Sequence, residues 1–115
     1  MRKIAFRAWD KELKEMEYFD LHHLIGQQQR KEIMQFTGLL DKNGKEIYEG
    51  DIVTLKYLND TGKTAMVVEW DNENFGWYFT RGKNSKFSLA IGSLQENTEI
   101  KVVSNIYNPD LLPKV

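Results

Sequence analysis

The stretch TGLLDKNGKEIYEGDIVTL, residues 37–55, decides the fold, because it carries two turns in quick succession and then runs directly into a strand. Asp41-Lys42-Asn43-Gly44 is a strong turn signal, since Asn and Gly supply the positive-φ backbone that a tight turn requires. Glu49-Gly50-Asp51 makes the second turn, with Ile47 and Tyr48 as an apolar step before it. Ile52 to Tyr57 is then rich in β-branched and aromatic residues, the composition that fits a pleated, half-buried surface. Gly38, Asn43, Gly44, Gly50 and Asp51 are therefore assigned as the structural motif of two turns feeding one strand.

Working outward, Lys3 to Trp9 alternates, which places Ile4, Phe6 and Ala8 on one face and Arg7 on the other. Asp10-Lys11-Glu12 reads as a charged turn, and the preferred reading pairs Met16-Glu17-Tyr18-Phe19 back as a hairpin, with a short helix from Lys11 to Met16 as the alternative that propensity leaves open. Residues 20–32 have weak periodicity and a polar Gln-Gln-Gln-Arg-Lys run, so a mobile loop is expected there. Ile33 to Thr37 resumes a strand, with Met34 and Phe36 opposite Ile33 and Gln35. Asn59-Asp60-Thr61-Gly62 turns the chain, and Thr64 to Trp70 returns with Met66, Val68 and Trp70 on one side. Further turns at 71–74 and 81–86 separate short strands at 77–80, 87–91 and 100–107. Short strands at such spacings favour an all-β barrel or sandwich. Asn108-Pro109 can start a helical turn, and Leu111 and Leu112 give it something to bury.

The 115 residues fit one domain that buries its own core without disulfides. Basic and acidic residues interleave and nearly cancel, so bulk charge selects no partner. The absence of cysteine removes thiolate catalysis, iron–sulfur clusters and the usual structural zinc sites, and fits a reducing cytoplasm. The start of the chain is too short and too charged for a signal-peptide core, and no apolar run approaches the ~20 residues that span a bilayer. Asn59-Asp60-Thr61 matches a glycosylation sequon but reads as a polar turn.

With those motifs in place the chain resembles the YopX family of small proteins found mainly in bacteriophages and prophages. The likeness is carried by Phe6-Arg7-Ala8-Trp9-Asp10, by Met34 to Leu39 and Lys42 to Val53, and by Ser104 to Leu112. Leu40 stands where a lysine is expected, and a glutamate usually found between Tyr107 and Asn108 is missing. The resemblance implies an SH3-like barrel and a phage setting, and it carries no biochemical activity across. The expected architecture is thus a mainly β, SH3-like small barrel with additional N-terminal strands and a short C-terminal helical turn. It forms one domain over 1–115, with a hairpin and mobile loop over 1–32 and the barrel over 33–115.

Candidate sites are weighed against ordinary folding roles. Asp41, Glu46, Glu49 and Asp51 miss the spacing of a calcium loop, and Lys42 and Lys45 oppose a cation, so turn and cap roles are expected. His22 and His23 point apart if extended, which suits a surface loop better than a shared metal. Asp71 and Glu73 have the look of a glycosidase pair but sit in a hairpin turn. Gly38, Gly44 and Gly50 lack the lysine–serine pair and the helix of a phosphate loop. The cluster Trp70, Phe75, Trp77, Tyr78 and Phe79, followed by Arg81, Lys83 and Lys86, is the strongest candidate. At period two Trp77 and Phe79 face one way and Tyr78 and Thr80 the other, so one set belongs to the core. The candidate binding face is Trp77, Tyr78, Arg81, Lys83 and Lys86. The expected function is non-catalytic, with no cofactor or metal: a cytoplasmic accessory protein that binds another protein or itself. The alternative is single-stranded nucleic acid held by aromatic stacking and basic neutralisation.

Overall fold

The computed structural model describes residues 3–24, 26, 32–56, 64–81, 88–91 and 98–107. The turn expected at 59–62 with its sequon, the polar run at 27–31 of the expected mobile loop, the basic residues Lys83 and Lys86 and the expected C-terminal turn at 108–112 lie outside the described residues.

Nine strands and one helical turn are described: β1 (Ala5–Asp10), β2 (Glu15–Asp20), α1 (Leu21–Leu24), β3 (Ile33–Leu40), β4 (Glu46–Tyr48), β5 (Asp51–Lys56), β6 (Thr64–Asp71), β7 (Gly76–Thr80), β8 (Ser88–Ala90) and β9 (Glu99–Asn105). They form a four-stranded antiparallel sheet in the order β2-β1-β3-β4 and a five-stranded antiparallel sheet in the order β8-β7-β6-β5-β9. The fold is mainly β, and one of its sheets curls into a half barrel. The boundary expected at residue 32 does not divide the sheets, because β3 pairs with β1 through Phe6↔Gln35, Arg7↔Met34 and Ala8↔Ile33. The second turn of the opening stretch, at Gly50, is where the chain passes from one sheet to the other.

Alternation explains the larger core. Val53, Leu55, Met66, Val68, Phe79 and Val102 share one face of the five-stranded sheet, and Ile47 of the neighbouring sheet is buried among them. Truncating a fully buried isoleucine such as Ile47 to alanine costs about 2–5 kcal/mol. Ala5, Phe36 and Tyr48 form a second, smaller cluster.

Both turns of the opening stretch form as their residues dictate. Gly38, Gly44 and Gly50 have φ of 89°, 81° and 84°, and the β3–β4 register shifts between Phe36 and Leu40, around Gly38. Asp41 Oδ1 accepts the backbone N–H groups of Asn43 and Lys45, while its Oδ2 accepts that of Val102 on β9. One carboxylate therefore closes a turn and pins it to the other sheet.

Two expectations are corrected. Arg7 does not face solvent: it is 3% exposed, because a buried carboxylate arrives from a distant part of the chain to receive it. Residues 20–32 do not begin as an unstructured loop, because Asp20 accepts the N–H of His23 and caps the helical turn α1. His22 and His23 are consequently neighbours on a turn, with ring centroids 5.4 Å apart, rather than pointing apart on an extended chain.

Candidate functional site

The site is built on a buried ion pair. Arg7 on β1 places one guanidinium nitrogen 2.8 Å from Asp51 Oδ1, and both side chains are almost wholly buried. The same nitrogen donates to the backbone carbonyl of Glu49 at 3.1 Å, and the guanidinium carbon lies 4.8 Å from the centroid of the Tyr48 ring. Asp51 Oδ2 accepts the N–H of Tyr48. Burial pushes the Asp51 carboxyl above its ordinary value, against the pull of Arg7 and of that N–H. Burial, with Glu46 and Tyr18 adding to it, pushes the Tyr48 phenol up to about 12, so it stays neutral beside the guanidinium. These contacts fix the β4–β5 turn against β1, and with it the position of Glu49.

Gly50 holds the same turn from the other side. Its N–H donates to Val68 O at 2.8 Å, and its carbonyl accepts from Ile106 N at 2.9 Å. The glycine is required by φ, and a Cβ at this position would lie 2.9 Å from Met34 Sδ, so the flexible Met34 side chain would have to shift.

Glu49, thus positioned, lines an open groove of about 420 Å³ between the two sheets. Lys3, Ile4, Gln35 and Phe36 come from the N-terminal side, and Trp70 and Trp77 from the β6–β7 hairpin. The tryptophans are a cross-strand pair that meets edge to face, with centroids 5.1 Å apart. Trp77 packs against the core, whereas Trp70 is 42% exposed. Glu49 Oε1 accepts the N–H of Gln35 at 3.3 Å and has no ion-pair partner among the described residues. Burial, opposed by that bond and reinforced by the charge of Glu69, raises its carboxyl above the ordinary value. Lys3, also at the groove, pairs with Glu46 Oε2 at 2.8 Å.

A second, smaller cleft of about 300 Å³ is also bordered by Trp70, with Glu69, Asp71, Asn72, Glu73, Tyr78 and Thr80. Asp71 is occupied with its turn: it accepts the N–H groups of Glu73 and Asn74 and the side-chain amide of Asn74, and these bonds hold its pKa down. That matches the hairpin role expected from the sequence. Phe75 ends the turn at φ 53° and is 79% exposed.

The residues singled out from the sequence separate here. Trp77 and Phe79 face the core, Phe79 being fully buried, while Tyr78 lies with acidic residues and Arg81 is exposed just beyond β7. Among the described residues no cluster of histidine and carboxylate groups could hold a metal ion, and no helix is long and apolar enough to cross a membrane. Gln35, Phe36 and Glu49 were missed as groove residues, because only the packing of one sheet against the other brings them to Trp70.

The YopX family model, described as YopX protein, matches residues 22–113. The chain belongs to the YopX family. Its match takes in Glu49, Asp51, Trp70 and Trp77 and leaves out Arg7, so the buried ion pair of this YopX protein joins a matched residue to one outside the match. The crystal structure of a protein from Enterococcus faecalis is similar at TM-score 0.56 and 24% identity, covering 95% of this chain and 97% of that one. No curated protein matches the YopX chain.

Proposed function

We propose that this YopX protein is a non-catalytic phage or prophage accessory protein, working in the bacterial cytoplasm, that binds another protein through the groove between its sheets. The five-stranded sheet is read as an SH3-like barrel that presents the groove, with the N-terminal strands as its second wall. The observation that carries the reading is Trp70: a large aromatic left 42% exposed beside Trp77 and a partly buried carboxylate, in an open groove. Aromatic residues so placed are the usual anchors of protein interfaces.

The alternative, nucleic acid held by Tyr78, Arg81, Lys83 and Lys86, meets a specific obstacle. Tyr78 shares its cleft with Glu69, Asp71 and Glu73, whose charges repel phosphate. Tagged protein recovered from host lysate with and without nuclease separates the two. A partner retained after nuclease and lost in Trp70→Ala supports protein association. Recovery that disappears with nuclease, or falls steeply with salt and on mutating Arg81, overturns it in favour of nucleic acid.

A further inference from the structure

We infer that the groove takes a cationic side chain, an arginine before a lysine, carried on a basic segment of the partner protein and held between the Trp70 ring and the Glu49 carboxylate. The inference rests on the protein-association reading above and adds the chemistry of the occupant.

Charge complementarity carries it. Trp70 and Glu49 line the same groove, and tryptophan offers the best aromatic face for a cation. Glu49 has no ion-pair partner among the described residues, and its bond from Gln35 N–H is long at 3.3 Å. Glu69, Asp71 and Glu73 line the neighbouring cleft that Trp70 also borders, so the acidic surroundings of Trp70 extend past the groove. The one basic side chain among the described residues lining the groove, Lys3, is already engaged with Glu46.

The other classes of occupant fit worse. A phosphate or carboxylate would meet the charge of Glu49 and, felt at the same site, that of Glu69. A purely apolar group would strip water from Glu49 without replacing the lost hydrogen bonds. A guanidinium satisfies both walls, since its plane stacks on an indole while its N–H fork meets a carboxylate. The pKa of Glu49 is raised, first by burial and then by Glu69, and the opposing pull of the Gln35 N–H and of Arg7 does not cancel this.

The test uses the full chain and three synthetic peptides with a Ser-Gly spacer repeat, differing only in carrying arginine, citrulline or glutamate, titrated by NMR of the indole N–H signals. The arginine peptide is expected to shift the Trp70 signal saturably and bind about tenfold more tightly than the citrulline peptide, the scale of one desolvated cation–π contact with a charge-assisted hydrogen bond. Glu49→Gln, read at the Trp70 indole, and Trp70→Leu, read at the indole of Trp77 in the same groove, are each expected to abolish that preference, with the backbone amide signals confirming the fold. Equal binding of the citrulline or glutamate peptide at Trp70 overturns the cationic occupant and leaves the association groove standing. Absence of any Trp70 shift up to millimolar peptide also overturns it, while nuclease-resistant capture decides the association reading separately.

Discussion

Asp51 and Glu49 flank a single glycine, yet one carboxylate closes the fold and the other opens onto the groove. Asp51 is 2% exposed, with Arg7 on one oxygen and the Tyr48 N–H on the other. Glu49 has one long bond from Gln35 and a like-charged neighbour in Glu69. Two residues apart on an extended strand they would share a face; the positive φ of Gly50 between them sends their side chains into different surroundings, and the sheet pairing decides which of them meets a cation. A buried charge paired with a cation reports on architecture, whereas a half-buried charge without an ion-pair partner among the described residues reports on what the surface is built to receive.

The strongest way to break the contrast is to remove the cation from the inner member. Arg7→Met leaves Asp51 buried and unpaired, and urea unfolding should show a loss of about 3–5 kcal/mol. The double variant Arg7→Met/Asp51→Leu should recover most of it, because the pair's attraction is set against the desolvation of both charges. If the double variant is no better than the single, the bond that the Tyr48 N–H donates to the Asp51 carboxylate, rather than the ion pair, holds the turn.

The glycine between the two carboxylates sharpens the comparison with the earlier turn. Gly50→Ala introduces a Cβ 2.9 Å from Met34 Sδ at φ 84°, whereas Gly44→Ala at φ 81° meets nothing within 4 Å. Gly44→Ala should therefore cost about 1–2 kcal/mol, the backbone strain alone. Gly50→Ala should add part of the about 1–3 kcal/mol typical of overpacking, less whatever Met34 relieves by moving. Equal losses in thermal or urea unfolding would show that Met34 yields freely and that the second turn is no tighter than the first.

Asp41 gives the corresponding test by pH. Burial alone would raise its pKa, but the N–H groups of Val102, Lys45 and Asn43 more than offset that and hold it below the ordinary carboxylate value. A depressed folded pKa contributes stability that is present above the unfolded value, about 3.9, and is lost as pH falls through the folded one. Asp41→Asn should cost about 1–3 kcal/mol at neutral pH, by turning an amide N–H toward a backbone donor, and should flatten the acid limb of the stability profile below about pH 4. An unchanged acid limb would move the source of acid sensitivity to another carboxylate.

These tests also mark what was legible in the sequence. The turns at Asp41–Gly44 and Gly50 could be read because positive φ selects particular residues, and the strand faces through Met66, Val68 and Phe79 could be read because one sheet buries one side. Arg7 could not: alternation treats a charged residue as outward, and its burial depends on Asp51, which is remote in sequence and in the other sheet. The groove was half legible. Trp70 and Trp77 stood out as aromatics, but Glu49 looked like any turn acid until β6 was laid beside it.

The smallest expected effect on stability falls on the residue with the largest expected effect on binding. Glu49→Gln keeps a carbonyl oxygen for the Gln35 N–H and removes a charge that burial and Glu69 already disfavour. A folded pKa raised above the unfolded value means that ionising Glu49 works against the native state, so its contribution is most favourable at low pH and declines as pH rises through the folded value. The variant should leave unfolding unchanged within about 0.5 kcal/mol at neutral pH, or stabilise slightly, while removing the preference for a cationic side chain. In the wild-type protein that preference should weaken as pH falls through the raised Glu49 value, with Lys3, Arg7 and Glu69 as the charged groups that set where it does so. A marked loss of stability in Glu49→Gln would instead place Glu49 with Asp51, as a second internal carboxylate, and the contrast between the two would dissolve.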